Sequence, residues 1–371
     1  MTKTVLVIGA NGFIGRNLVS RLEHASGVSV SQAGSQTSWA ELTRLISECD
    51  QVVHLAGVNR TLNESDFELI NVEFSQRLLE ALENLGAPPV FFSSSVNADQ
   101  DTPYGQSKKR AELLVHEYGL RTGAAVRIAR LPNVFGKWSL PNYNSVVATF
   151  AFNISRELPI EVNNPDTVLD LLYVDDLVAC IIEDLNTDLS APRLKLEPIY
   201  RISVAGLAEV MLQIHKSRTA GIVLDVGSGF LRAIYATYIS FLEPSLFAYS
   251  LSAHSDERGI FVEVLKTPSA GQLSFLTVKV GAKRGSHFHH SKVEKFIVVR
   301  GCATFKFQNL FDRRTHEIHV RDDSPTVVES IPGWIHEILN SGQSELSVIV
   351  WASEVFESDK TDTYGGMIDH R

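Results

Sequence analysis

Residues 5–15 read VLVIGANGFIG, an apolar run that leads into a turn with three glycines. Such a turn lets the backbone approach a pyrophosphate that is held at the N-terminus of the following helix. Three glycines also occur where a strand and a helix merely pack closely. The stretch therefore predicts a strand that runs into a helix and, if other residues support it, a nucleotide cradle.

Outward from this stretch, the chain alternates short apolar runs with helical patterns as far as about residue 182. The apolar runs are residues 5–8, 52–55 and 90–92, and the helical patterns are residues 13–22, 72–85 and 107–118. Strands that alternate with helices in this order predict a parallel sheet with crossover helices. We therefore predict an α/β, Rossmann-like, doubly wound sheet for this half.

The second half has a different periodicity, which begins at about residue 252. Ala303, Phe305 and Phe307 alternate with polar residues, the period-two pattern of a half-buried strand. Similar short runs are separated by turn residues, so we predict an all-β second domain. Because 371 residues exceed the roughly 250–300 at which one core stops growing, we place two domains at residues 1–245 and 246–371.

Composition excludes several classes of protein. The chain has 34 basic and 43 acidic residues, and its net charge of −9 disfavours nucleic acid as a partner. Its apolar runs fall short of the ~18 residues of a membrane span, and no export signal is visible. The three cysteines, Cys49, Cys180 and Cys302, form no CxxC pair, which predicts neither disulfides nor a thiolate zinc site. A cytoplasmic protein is the expectation.

Residues 104–108, YGQSK, place a phenol and an ammonium four residues apart on one helical face. A cation in that position can lower the pKa of the phenol, so that the phenol moves a proton near neutral pH. Residues 91–95, FFSSS, supply hydroxyls at the carboxyl edge of the sheet, where such sheets bind ligands. An exposed Tyr and Lys without function is the alternative, and the glycine turn argues against it.

The first ~180 residues resemble the extended short-chain dehydrogenase/reductase family, whose members act largely on nucleotide sugars. The matching motifs are the glycine turn, HLAG at 54–57, Asn71, SSS at 93–95, Tyr104 with Lys108, RLPNVFG at 130–136 and YVDD at 173–176. The resemblance implies that Tyr104 is the acid/base and that Lys108 holds the ribose and tunes Tyr104. It implies that Ser95 bonds to the reacting carbonyl, with Ser94 as the alternative.

The same resemblance implies where cofactor and substrate bind. The implied cofactor residues are Gly9, Asn11, Gly12, Phe13, Ile14, Gly15, Arg16, Leu55, Ala56, Gly57, Tyr104 and Lys108, and the implied substrate residues in this half are Asn133 and Asn142. Ser31, Gln32 and Gln36 stand where an NAD site usually has an acidic residue, about 20 residues beyond the glycines. This favours NADPH over NAD. Arg16 could approach a 2′-phosphate, or be an ordinary solvated side chain.

The second half contains the pattern Gx5HxHx4Ex6G over residues 281–301. His287 and His289 project from the same face of a strand, Glu294 follows, and PGWIH at 332–336 offers His336. Three nitrogens and a carboxylate predict a divalent metal, with zinc preferred, although nickel, manganese or iron also suit these ligand types. His290 is a competing ligand or a base, and a metal-free polar pocket is the alternative.

This pattern resembles the two motifs of cupins, which are jelly-roll β-barrels. Residues 256–263, DERGIFVE, and 284–287, RGSH, resemble segments of nucleotide-sugar 3,5-epimerases, and that likeness implies that His287 is the base. Arg258 could then pair with a diphosphate through its fork of donors. Arg258 bonded to Asp256 in a tight turn is the alternative.

The whole chain resembles bifunctional capsular polysaccharide enzymes, in which such a reductase is fused to a cupin epimerase. The segments that carry this likeness are 57–60, 135–138, 141–145, 235–238 and 294–296. It implies C3 epimerisation of a UDP-2-acetamido-2,6-dideoxy-4-hexulose, then NADPH-dependent C4 reduction to UDP-2-acetamido-2,6-dideoxy-L-talose for N-acetyl-L-fucosamine synthesis. The alternative is a reductase alone, with a sugar-binding or dimerising cupin. A homodimer is expected because cupins commonly pair through edge strands.

Overall fold

The structure is a computed structural model that describes residues 2–187, 194–356 and 362–368. It divides into two compact units. Unit 1 consists of Met1–Leu212 and Arg232–Glu243, and unit 2 consists of Gln213–Leu231 and Pro244–Arg371. The second unit thus includes a short segment from the middle of the chain as well as the C-terminal part.

A five-stranded parallel sheet is the centre of unit 1. Its strands in chain order are β1 (Lys3–Ile8), β2 (Val28–Ala33), β3 (Gln51–His54), β4 (Val90–Ser95) and β5 (Val126–Leu131). They lie in the order β2-β1-β3-β4-β5, and every adjacent pair is parallel. Every residue of β3 and β4 is buried, as expected for parallel strands covered on both faces. The carboxyl ends of β1 and β4 therefore reach the same edge.

Helices connect the strands of this sheet. They are α1 (Phe13–Leu22), α2 (Trp39–Ser47), a π-helical segment (Phe67–Glu73), α3 (Phe74–Asn84) and α4 (Pro103–Thr122). The Thr102 hydroxyl accepts from the Gly105 amide and Pro103 occupies the first turn, so α4 begins four residues earlier than its periodicity predicts. It ends at Gly123, which has a φ of 74°. Tyr104 consequently lies in the first turn of a long helix.

The strand β2 and the helix α2 were absent from the prediction. Residues 28–33 read VSVSQA, and this strand is the edge of the sheet, where a polar strand is tolerated. Helix α2 is only nine residues long, so its apolar pattern is short. The polar residues Ser31 and Gln32 lie in β2, and Gln36 lies in the loop between β2 and α2.

The rest of unit 1 contains a small mixed sheet and further helices. The strands are β6 (Asn133–Phe135), β7 (Val168–Tyr173) and β8 (Ile199–Ser203), and the helices are α5 (Val146–Ile154), α6 (Val174–Asn186), α7 (Val204–Thr219) and α8 (Gly229–Ile239). Strand β7 pairs in parallel with β6 and antiparallel with β8. Helix α7 begins in unit 1 and ends in unit 2.

Unit 2 is built from two antiparallel sheets. Its strands are β9 (Ala253–Asp256), β10 (Gly259–Thr267), β11 (Gly271–Val278), β12 (Lys283–Phe288), β13 (Glu294–Arg300), β14 (Cys302–Asn309), β15 (Thr315–Arg321), β16 (Val327–Ser330), β17 (Trp334–Asn340), β18 (Leu346–Ala352) and β19 (Tyr364–Gly365). The sheet orders are β16-β13-β18-β11-β10-β9 and β15-β14-β17-β12-β19. Phe296, Phe305 and Val348 belong to one core cluster that takes residues from both sheets.

These observations confirm the predicted fold class, a Rossmann-like parallel α/β sheet followed by an all-β region. The alternation that predicted a strand at Ala303, Phe305 and Phe307 is seen in β14, where all three residues are buried in the core. None of the described helices combines the length and the apolar character that crossing a membrane requires.

Candidate functional site

A cleft of about 1010 Å³ opens at the carboxyl edge of the parallel sheet in unit 1. The predicted residues that line it are Gly9, Asn11, Gly12, Phe13, Ile14, Gly15, Arg16, Leu55, Gly57, Ser95, Tyr104, Lys108, Asn133 and Asn142. Ala56 is not among the lining residues. Its backbone nitrogen lies against Gly9 instead, where a Cβ on Gly9 would be only 2.6 Å away. Ala56 thus contributes to the glycine turn rather than to the wall of the cleft.

The glycine turn is packed so closely that side chains would not fit. Gly9 has a φ of 87°, and a Cβ on Gly15 would lie 2.1 Å from the Gly9 carbonyl oxygen. Gly12 precedes α1 without a side-chain cap. The N-terminus of α1 therefore faces the cleft with its amides and the positive end of its dipole, which fits a pyrophosphate.

Tyr104 and Ser95 both line this cleft, and the Ser95 hydroxyl accepts from the Asn97 amide at 3.1 Å. Burial raises the pKa of Tyr104, and the interaction with the Ser95 side chain opposes that rise without reversing it. The predicted lowering of this pKa by Lys108 is not seen. The reason is that the Lys108 ammonium donates to the Ser93 carbonyl oxygen at 2.6 Å, which directs it to the end of β4.

Lys108 is a buried cation, with 6% of the residue exposed. Its Nζ lies 4.7 Å from the centre of the Phe92 ring. Burial lowers the pKa of Lys108 to about 8, and the nearby Glu112 carboxylate opposes the shift. The side chain is therefore charged at neutral pH and close to losing its proton.

The three serines at the end of β4 have different partners. The Ser93 hydroxyl donates to the His54 carbonyl oxygen at 3.3 Å, and the Ser94 hydroxyl donates to the Glu112 carboxylate at 2.5 Å. Glu112 is in turn held by Arg130 at 2.7 Å. The hydroxyl of Ser94 is thus bonded to a partly buried ion pair, whereas that of Ser95 accepts from the Asn97 amide and lines the cleft with Tyr104.

Two side chains shape the loop that follows β3. The Asn71 amide accepts from the Val58 amide at 2.8 Å and donates to the Val58 carbonyl oxygen at 3.0 Å. It also donates to the Ser107 hydroxyl at 3.0 Å, and that hydroxyl donates to the Tyr104 carbonyl oxygen. Asn71 therefore links the loop to the first turns of α4.

Sequence reasoning assigned no role to Arg60 and Tyr143, which also line the cleft. The Arg60 guanidinium donates to the Tyr143 carbonyl oxygen, and the Tyr143 hydroxyl donates to the Arg60 carbonyl oxygen at 2.6 Å. This reciprocal pair joins two loops that are 83 residues apart. The motifs at 57–60 and 141–145 were the available signal, but they gave no indication that the two loops meet.

In unit 2, the structure brings together His287, His289, Glu294 and His336, with their ligand atoms all within 4.8 Å of one another. The Glu294 Oε2 atom lies 3.1 Å from Nε2 of His289, 3.1 Å from Nε2 of His336 and 3.9 Å from Nε2 of His287. The predicted ligand set thus forms one cluster. His290 lies outside it, with its ring against Tyr364 at a centroid distance of 4.8 Å.

The cluster has the character of a cation site. The side chains of His289 and His336 are 2% exposed, and that of Glu294 is 13% exposed. Burial alone would raise the pKa of Glu294, but the three histidines lower it well below its usual range. Both ring nitrogens of His336 are buried without a hydrogen bond among the described residues. A divalent metal fits this donor set and would satisfy Nε2 of His336, which lies 3.1 Å from the Glu294 carboxylate.

The structure shows the alternative arrangement for Arg258. Its guanidinium donates to the Asp256 carboxylate at 2.6 Å, and its backbone amide donates to the same carboxylate at 2.8 Å. Arg284 lies 3.4 Å from that carboxylate as well. Arg258 is therefore bound in a tight turn with Asp256, and half of its side chain remains exposed.

Comparison with known proteins matches two family models. Residues 5–192 match the NAD dependent epimerase/dehydratase family, and residues 254–364 match the polysaccharide biosynthesis C-terminal domain. A UDP-2-acetamido-2,6-beta-L-arabino-hexul-4-ose reductase from Pseudomonas aeruginosa is 45% identical over 97% of each chain. Similarity to this relative covers both units.

Solved structures give the same result. The chain is similar to the capsular polysaccharide assembling protein CapF from Staphylococcus aureus, with 35% identity, a TM-score of 0.92 and coverage of 99% of this chain and 100% of that one. A CapF structure with the inhibitor 3-isopropenyl-tropolone has 32% identity and a TM-score of 0.86, over 98% of this chain and 100% of that one. The likeness to capsular polysaccharide enzymes that the sequence suggested is confirmed.

Proposed function

The chain belongs to the NAD dependent epimerase/dehydratase family, and from that premise we propose that it is a nucleotide-sugar reductase with a second, epimerising activity. The substrate is a UDP-2-acetamido-2,6-dideoxy-4-hexulose. Unit 2 inverts C3, and unit 1 reduces C4 to give UDP-2-acetamido-2,6-dideoxy-L-talose for capsule synthesis. The observation that carries the reductase assignment is the placement of Ser95, Tyr104 and Lys108 in one cleft with the glycine turn.

In the reduction, the residues of the cleft orient the ketone and supply a proton. A bound nicotinamide cofactor supplies the hydride. The Ser95 and Tyr104 hydroxyls hydrogen-bond the C4 carbonyl oxygen, and Tyr104 donates its proton as the alkoxide forms. Lys108 is proposed to hold the ribose of the cofactor through its ammonium group, which donates to the Ser93 carbonyl oxygen at the end of β4. The Asn133 and Asn142 amides contact the sugar nucleotide.

We propose NADPH rather than NADH as the cofactor. Strand β2 ends in the sequence SQAG, without an acidic side chain that would bind a free ribose 2′-hydroxyl. Arg16 lies at the start of α1 and lines the cleft, so its guanidinium is available to a 2′-phosphate. These two features support the preference.

In the epimerisation, the C4 ketone makes the C3 hydrogen acidic enough for a histidine to remove. His287 is the proposed base, because its side chain is 26% exposed whereas the other two histidines of the cluster are 2% exposed. Arg258 is proposed to bind the diphosphate once it leaves Asp256. A divalent cation, with zinc preferred, would place positive charge beside the enolate oxygen when bound.

The cluster of His287, His289, Glu294 and His336 is proposed to hold that cation in a cupin barrel. His287 cannot use the same nitrogen as ligand and as base. If it is the base in the metal-bound protein, the remaining three side chains form the site.

One experiment tests both activities. The purified protein is incubated with the UDP-linked 4-keto sugar in deuterated water, with no cofactor, with NADPH or with NADH, and the sugar is followed by NMR. We expect deuterium at C3 without cofactor and a reduced sugar with the inverted C3 centre when NADPH is added. No reduction with either cofactor would contradict the reductase assignment.

A reductase with a non-catalytic second unit is the other candidate, because the printed name of the relative from Pseudomonas aeruginosa mentions reduction alone. In the same experiment it gives reduction without deuterium at C3.

We also propose a cytoplasmic homodimer without nucleic-acid or membrane partners, with domains at residues 1–245 and 246–371. The three cysteines are free, which agrees with a reducing compartment.

A further inference from the structure

We propose that Asp362 is a positioning residue of the metal site: its backbone carbonyl fixes the orientation and tautomer of His289, and its carboxylate holds the turn that joins His289 to Glu294. This inference rests on the metal site of the proposed function. Asp362 lies 73 residues from His289 in the sequence, and no sequence motif pointed to it.

The carboxylate of Asp362 is bonded to three consecutive backbone amides. It accepts from the amides of His290 at 2.9 Å, Ser291 at 2.7 Å and Lys292 at 2.9 Å. The Ser291 hydroxyl also donates to it, at 2.9 Å. Residues 290–292 lie between the two ligands His289 and Glu294, so this single carboxylate sets the path of the chain from one ligand to the next.

The backbone carbonyl of Asp362 acts on the ligand itself. It accepts a hydrogen bond from Nδ1 of His289, which requires the proton of a neutral ring to be on that nitrogen. The lone pair is then on Nε2, which lies 3.1 Å from the Glu294 carboxylate. Two acceptors face each other across that distance, and a cation between them satisfies both. Partners of this kind commonly orient metal-binding histidines.

The segment around Asp362 is itself attached to β12, the strand that carries His287. Strand β19 pairs with β12, where Gly365 lies opposite His287. The Gly366 amide donates to the Ser286 carbonyl oxygen at 2.9 Å, and the Lys292 ammonium donates to the Thr363 hydroxyl at 2.9 Å. Asp362 is therefore held in place independently of a bound metal.

The test uses the full-length protein and the variant Asp362→Asn, which keeps the shape of the side chain but turns one acceptor into a donor. The control is Asp322→Asn, where a carboxylate also accepts from a turn amide, that of Gly301. Gly301 is about 23 Å along an extended strand from Glu294, at ~3.3 Å per residue. Zinc affinity is measured by competition with a chromophoric chelator. Cobalt(II) spectra report the number of nitrogen ligands.

We expect Asp362→Asn to weaken zinc binding by about 10–100-fold, and Asp322→Asn to leave it unchanged. The cobalt spectrum of Asp362→Asn should shift towards that of His289→Ala. Asp362→Asn should cost less zinc affinity in the His289→Ala background than in the wild type, because part of its effect passes through that ligand.

Unchanged zinc affinity in Asp362→Asn would overturn the inference. It would also be overturned if the losses of Asp362→Asn and His289→Ala were fully additive in the double variant and Asp362→Asn kept the wild-type cobalt spectrum. If Asp362→Asn does not fold, Ser291→Ala replaces it, since it removes one of the four bonds to the carboxylate. The expected loss is then roughly threefold to tenfold, as for one hydrogen bond, and no loss would overturn the inference. Wild-type protein without any zinc affinity would instead contradict the proposed metal site.

Discussion

His336 lies directly opposite His287 in the antiparallel pairing of β12 with β17, and the centres of their two rings are 4.5 Å apart. The two residues are 49 positions apart in the sequence, and only the register of these strands brings them together. Between Gly285 and His287 the register shifts by a bulge. A bulge re-aims the side chains that follow it, which suits a site that must gather four ligands from three strands and a turn.

Tyr104→Phe should lower the rate of ketone reduction by about 10²–10⁴-fold, because it removes the proton donor. Exchange at C3 should remain intact, since that chemistry is assigned to unit 2. Oxidation of NADPH and incorporation of deuterium measure the two steps separately. Tyr143→Phe is the matched control in the same cleft: its hydroxyl donates to the Arg60 carbonyl oxygen, so the variant should change KM rather than kcat. Near-normal reduction by Tyr104→Phe would refute the assignment.

The pH dependence of reduction should report Lys108. Its pKa in the free protein is lowered by burial to about 8, and the proposed mechanism needs the charged form. The charge is present below that pKa and lost above it, so kcat/KM should fall as the pH rises through about 8. Lys108→Arg keeps its charge to a pH above ~12 and should lose this alkaline decline in its residual activity. A decline that persists in Lys108→Arg would show that another group titrates.

Ser95→Ala should lower reduction by about 10²–10³-fold, since one hydrogen bond to the developing oxyanion is lost. Ser94→Ala is its control, because its hydroxyl is bonded to Glu112 and not to Tyr104. That variant should keep its kcat and lose about 1–3 kcal/mol of stability, as the buried Glu112 loses a hydrogen-bond donor. Steady-state kinetics and urea unfolding measure the two effects. If Ser94→Ala lost more kcat than Ser95→Ala, the residue that binds the carbonyl would be Ser94 and not Ser95.

Removal of metal should lower the stability of the protein. With free zinc at about 100 times its Kd, the bound ion adds roughly 2.7 kcal/mol to the free energy of unfolding, and a chelator should remove that increment. Thermal unfolding with and without chelator, together with elemental analysis, measures it. His336→Ala should carry no metal and show no chelator effect, whereas His254→Ala, at an exposed position on β9, should behave as the wild type. Metal retained by His336→Ala would contradict the ligand set.

Much of the fold could be predicted because its signals are local. The glycine turn after β1 and the helical spacing of Leu78, Leu79 and Leu82 each lie within a short stretch of chain. The edge strand β2 was missed because a polar strand at the edge of a sheet has little apolar periodicity. The spacing of Tyr104 and Lys108 was enough to place both residues on one helix, but not to show that the Lys108 ammonium bonds to Ser93.

The sequence by itself determined the two fold classes, the residues of the glycine turn, the shared helix of Tyr104 and Lys108, and the four residues of the candidate metal cluster. Only the tertiary structure decided that the Ser94 hydroxyl donates to Glu112 and that His289 rather than His290 joins the cluster. It also showed that the Asp362 carbonyl oxygen bonds to the His289 ring. The physical reason is that periodicity and spacing act between neighbours in the chain. A hydrogen bond between distant segments depends on strand register and burial, which no single stretch of sequence contains.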